Sequence, residues 1–129
     1  MAAAESEALV RAVAWHDIGR THDGHDPEHG AKSVARIASL GLDRGIDRQI
    51  LARVLFAIEL HSTHDEAAVE RAATLDDAER RSLLRVLWTL KDADGLDRVR
   101  IHDLDPSQLR FPVSRERVEP AWELLEEMP

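Results

Sequence analysis

The run Ile46-Asp47-Arg48-Gln49-Ile50-Leu51-Ala52-Arg53-Val54-Leu55-Phe56-Ala57-Ile58 decides the fold class. Ile46, Ile50, Leu51, Val54, Leu55 and Ile58 recur at the three- and four-residue steps that stack side chains on one face of a helix. It is the most apolar of the helical patterns and is expected at the centre of the molecule. Upstream, Glu5 to Ile18 carries Leu9, Val10, Val13, Ala14 and Ile18 on one stripe and ends at Gly19. Asp26-Pro27-Glu28 then combines a capping side chain, a proline at the first helical position and an acid in the first turn. That signal predicts a second helix, running through Val34, Ile37, Ala38 and Leu40 to Gly41, a residue suited to the left-handed conformation past a helix end.

Downstream, Asp65 to Ala73 predicts a short helix, and Thr74-Leu75-Asp76-Asp77 has a capping-box pattern with Thr74 as cap. A long helix follows, with Leu83, Leu84, Val86, Leu87, Trp88 and Leu90 as its broad apolar face and a kink or break at Asp94-Gly95. Asp103 to Pro112 reads as a loop. Ser114 to Met128 reads as an amphipathic end, with Val118, Ala121, Trp122 and Leu125 on one side.

Composition agrees with this pattern. Aromatics are 4% with no tyrosine, while Ala, Leu, Glu and Arg dominate, which favours helices over sheets. The expectation is an all-α fold, a single-domain bundle of about five to seven helices spanning 1–129, with a core at about 5–102 and a C-terminal loop and helix at 103–129. With no cysteine, disulfides and thiolate metal sites are excluded. A net charge of −8, from 17 Lys plus Arg against 25 Asp plus Glu, works against binding long nucleic acid. The longest apolar stretch, Val54 to Ile58, is far below the roughly 20 residues of a membrane span. The N-terminus lacks the basic-then-apolar layout of a signal peptide, so a cytoplasmic protein is expected.

All but His102 of the 7 histidines fall between His16 and His64. His16 and Asp17 are neighbours about 100° apart around a helix axis. Either both lean toward one ion at a shared cavity, or Asp17 caps locally and His16 sits at the surface. Asp92-Ala93-Asp94-Gly95-Leu96-Asp97 is either a solvated helix end or a second acidic site. It lacks the alternation and the twelfth-position glutamate that calcium ligation needs.

Four segments together carry a resemblance. His16-Asp17-Ile18-Gly19-Arg20, His29-Gly30-Ala31-Lys32-Ser33, Ala57-Ile58-Glu59-Leu60-His61-Ser62 and Leu90-Lys91-Asp92-Ala93-Asp94-Gly95-Leu96-Asp97 resemble, in order, the motifs of the HD-domain superfamily of metal-dependent phosphohydrolases. The resemblance implies a helical bundle in which His16, Asp17 and Asp94 (with Asp92 as the alternative) meet at a divalent metal. It also implies His29 and His61 as further ligands where two ions bind, with Asp17 bridging. Mn, Mg, Fe, Co, Ni and Zn all suit imidazole and carboxylate donors. Arg20, Lys32 and Arg98 lie beside these motifs to meet an anionic substrate, although Lys32 also reads as an ordinary exposed helix residue. His22, His25 and His64 are either hydrogen-bond donors behind the ligands or exposed loop residues.

The function implied is hydrolysis of a small phosphorylated metabolite, a nucleotide or dinucleotide foremost, by metal-activated water. The alternatives are a catalytically inactive module of the same fold that binds metal, nucleotide or a protein partner, and a purely structural helical protein. The family carries one more histidine on a helix ahead of its signature, and Met1 to Trp15 contains none. Three explanations stay open: a sequence that starts late, a partner subunit over the face that helix would occupy, or a domain that has dispensed with one ligand and with catalysis. A homo-oligomer through the vacant face is the favoured expectation.

Overall fold

The computed structural model describes residues 1–22, 26–97, 109–111, 114 and 116. Among these the chain is all-α, with α1 Ala3–Trp15, α2 His29–Leu40, α3 Arg48–Leu60, α4 Asp65–Ala72 and α5 Asp77–Asp97, and no strand. The chain divides into two compact units, Met1–Leu87 and Trp88–Pro129. Most of the expected loop at Asp103 to Pro112 and of the expected helix at Ser114 to Met128 lies outside the described residues, as do His25, Arg98 and His102.

In the first unit α3 is central, packed by α1, α2 and α4. Its start is fixed by Asp47, whose carboxylate accepts from the backbone N–H of Gln49 (3.0 Å) and Ile50 (3.2 Å). Val54, Ala57 and Ile58 are fully buried with Ile37 of α2 and with Val86 and Leu87 of α5. Gly41 closes α2 at φ +70°, as its position predicts.

The apolar stripe expected on α1 is not the buried one. Val10 is 69% and Val13 47% exposed, and the helix stops at Trp15. The buried stripe is Glu5, Ala8 and Ala12, because two alanines let α1 approach α3 closely and Glu5 has charged partners waiting. Glu5 accepts from Arg85 Nη1 (2.7 and 3.0 Å), Ser82 Oγ (3.1 Å) and the Ala2 amide (3.1 Å). Arg53, also buried, donates to Ser82 Oγ (2.8 Å), Gln49 O (2.7 Å) and Glu79 Oε2 (3.0 Å), so α1, α3 and α5 share one closed polar network.

Two further expectations are corrected. Thr74 does not cap α5; Asp76 does, accepting from the Glu79 amide at 2.9 Å, since its carboxylate stands at the distance a cap requires. Helix α5 also runs unbroken through Asp94-Gly95. Gly95 serves the second unit differently: a Cβ there would come within 3.1 Å of the buried Leu109 side chain. Beside it the buried Asp92 carboxylate accepts from the amides of Arg110 and Phe111, each at 2.9 Å, and holds residues 109–111 onto the helix.

Candidate metal centre

Three imidazoles reach one carboxylate from three separate stretches of backbone. His16 is the C-cap of α1 and His61 the C-cap of α3, whereas His29 opens α2. Asp17 stands in the turn after α1 with its side chain 48% exposed. His16 Nε2 lies 3.3 Å from Asp17 Oδ2, and His29 Nε2 lies 3.3 Å and His61 Nε2 3.8 Å from Asp17 Oδ1. The Nε2 atoms of His29 and His61 are 2.7 Å apart. Ligand atoms of His16, Asp17 and His61 all lie within 4.8 Å of one another, a grouping able to hold a metal ion.

The orientation of the rings follows from their other nitrogen. His16 Nδ1 faces the carbonyl of Val13 (2.8 Å), His29 Nδ1 that of Asp26 (2.6 Å) and His61 Nδ1 that of Ile58 (2.5 Å), in each case three residues earlier. A carbonyl oxygen can only accept, so Nδ1 carries the hydrogen in all three. In the neutral rings, therefore, every Nε2 presents a lone pair, and all three are turned toward Asp17. A 2.7 Å approach of two such lone pairs beside a carboxylate is repulsive until positive charge stands among them. That charge is the nearby Arg20 guanidinium, a proton on one ring or a shared cation.

The local electrostatics have the same sense. When a ring takes up a second proton at Nε2 it can donate to Asp17, and such bonding, from His16 first and then His61, holds the Asp17 carboxyl well below the usual carboxylate range. Burial pushes His29 below the ordinary imidazole value, helped by His61 and Arg20 and opposed by its bond to Asp26. The Arg20 guanidinium donates to the His22 carbonyl (2.7 Å), approaches His29 Nε2 (3.4 Å) and stands 3.9 Å from Asp17.

Of the residues expected at a site, His16, Asp17, His29 and His61 come together, with Arg20 alongside. Lys32 turns away to pair with Asp26 at 3.0 Å. His22 and His64 are exposed, and His64 takes the N-cap position of α4 without capping through its ring. Asp94 is partly exposed in the last turns of α5, in the second unit. Asp92 is committed to the amides of Arg110 and Phe111.

Sequence reasoning missed Ser33, Ser62 and Asp26. The two serines lie inside the quoted His-Gly and His-Ser segments, which was the one signal that could have marked them. No family model, curated protein or solved structure matches the chain.

Proposed function

We propose that this chain is a metal-dependent phosphohydrolase acting on a small phosphorylated metabolite, a nucleotide or dinucleotide foremost. The observation that supports it is the pinning of His29 and His61: both Nδ1 atoms are occupied by carbonyls while both Nε2 atoms converge on Asp17. His16, Asp17, His29 and His61 would hold one or two divalent ions. Neutral imidazole and carboxylate are the donors such ions take, and the carbonyl partners fix the tautomer that ligation needs. When bound, the ion would supply a water of lowered pKa and neutralise charge on a phosphate oxygen.

The chain's own residues do the rest. Asp17 stays ionised across the physiological range, so it keeps its acceptor oxygens for a water proton or a cation. Arg20, beside His29 and Asp17, places a fixed positive charge where an anionic substrate would approach. The three rings are each held at Nδ1 by a backbone carbonyl, which limits the rearrangement a ligand would require.

One observation favours a non-catalytic binding module instead. Arg20 and Lys32, the cations expected to grip phosphate, both have partners within the fold.

A single experiment separates the readings. The purified chain is titrated with Mn, Mg, Co, Fe(II), Ni and Zn and then assayed against a panel of phosphorylated nucleotides, alongside Asp17→Ala. Metal-dependent turnover that disappears in Asp17→Ala is expected. Metal binding without turnover on any substrate selects the binding module, and no metal binding at all overturns the hydrolase and the metal-binding form of the module.

A further inference from the structure

The rings of His16, His29 and His61 sit on different backbone segments, so their spacing depends on what ties those segments together. Two serine hydroxyls do this in the same way. Ser33, fully buried on α2, donates to the His16 carbonyl (2.9 Å) and accepts from the Gly19 amide (2.9 Å), tying the turn after α1 to α2. Ser62, just past α3, donates to the Pro27 carbonyl (2.8 Å) and accepts from the Gly30 amide (3.2 Å), tying the start of α2 to the end of α3. Each hydroxyl uses its one hydrogen and a lone pair on two groups that flank a site histidine.

Each tie also has a glycine where the backbones meet. A Cβ on Gly19 would come within 2.4 Å of the Ser33 nitrogen, and one on Gly30 within 2.3 Å of the Ile58 carbonyl oxygen. Ile58 is the residue whose carbonyl holds His61 Nδ1. The Gly30 contact and the Ser62 hydroxyl thus act on the same two helix ends that bring His29 and His61 to 2.7 Å.

We infer that Ser33 and Ser62 are positioning residues: hydroxyl latches that set the spacing of the three Nε2 atoms around Asp17, and through it the affinity for a divalent cation. The Ser33 latch sets His16 and Asp17 against α2, and the Ser62 latch sets His29 against His61. The affinity clause rests on the metal-binding reading of the site. The spacing clause stands on the geometry alone.

The test uses the full chain and the variants Ser33→Ala, Ser62→Ala and Ser62→Thr. Calorimetric titration with Mn is expected to show binding weakened about 10- to 100-fold in each alanine variant and largely restored in Ser62→Thr, which keeps the hydroxyl. In chelator, long-range ¹⁵N–¹H spectra are expected to show the Nδ1–H tautomer for all three rings of the wild type. Ser62→Ala should move the His29 and His61 signals and leave that of His64 in place. Unchanged ring signals and unchanged Mn affinity with only a lower melting temperature would make the serines structural ties and overturn the inference. A wild type that binds no Mn removes the metal reading, and the ring signals then decide the spacing clause alone. If Ser33→Ala does not fold, the half-exposed Ser62 carries the test.

Discussion

The first unit contains two clusters of charged groups that share α1 and α3, one completed by α5 and the other by α2, and they end differently. Around Glu5, burial pushes the carboxyl up, but the Ala2 amide, Arg85 and Ser82 outweigh it and hold the group below its ordinary value. Arg53 and Glu79 then complete the set, so donors and acceptors match. Around Asp17 the Nε2 atoms of His16, His29 and His61 converge on one carboxylate, with the Arg20 guanidinium alongside. A buried polar network whose valences close holds helices together. One whose Nε2 atoms converge on a carboxylate is instead suited to take up positive charge, which on the proposed reading is a divalent cation.

The largest expected effect tests the open cluster. Asp17→Ala should weaken Mn binding at least about 100-fold and abolish metal-dependent turnover. Because the side chain is half exposed, its stability in chelator should stay within about 0.5 kcal/mol of wild type by urea unfolding. A large stability loss would mean that this cluster, too, is structural.

Next comes Gly30→Ala, where the added carbon meets backbone and not a flexible side chain. A loss of about 3 kcal/mol is expected by urea unfolding, together with weaker Mn binding. Unchanged stability would show that α2 and α3 can part without cost.

Glu5→Gln probes the closed cluster and should cost about 2 kcal/mol with Mn affinity intact. Its pH dependence has a fixed sign. The folded-state pKa lies below the unfolded one, so the contribution is fully present above the unfolded value and lost as pH falls through the folded one. Urea midpoints between pH 7 and pH 3 should fall less steeply in Glu5→Gln than in wild type.

The smallest effect is expected where neither cluster reaches. Val10→Lys lies on the exposed side of α1 and should change stability by less than about 0.5 kcal/mol. A larger loss accompanied by a shift in sedimentation would mean that a second copy covers this face.

The central helix was legible because nothing competes with its apolar periodicity. So was the end of α2, where Gly41 adopts the backbone only glycine enters easily. The buried face of α1 was not, since its decisive member is an acid whose partner, Arg85, lies far along the chain. Periodicity read Val10 and Val13 as inward because it ranks valine above alanine, whereas close packing of two helices prefers the alanine. Gly95 read as a breaker because glycine is costly within helices, yet the contact with Leu109 gives it a packing reason. At the candidate site, clustering and motif order marked His16, Asp17, His29 and His61; the His-Asp pair alone did not, since His22, His25, His64 and His102 also precede an aspartate. Ser33 and Ser62 stayed hidden because a serine reveals its partners only once the backbone is folded. Lys32 drew attention as a cation, but whether it meets Asp26 or a ligand is a question of reach across a turn.

Two of the site histidines close the carboxyl ends of their helices, α1 and α3. The aligned peptide dipoles of both therefore direct partial negative charge at the same point, about half an elementary charge each for a full helix, and the amino end of α2, opened by His29, cancels about one of the two. An incoming phosphate ester meets an electrostatic barrier there that one arginine only partly offsets. On the proposed reading this imposes an order of arrival, cation before anion, and phosphate affinity measured in chelator should be far weaker than the same measurement in saturating Mn.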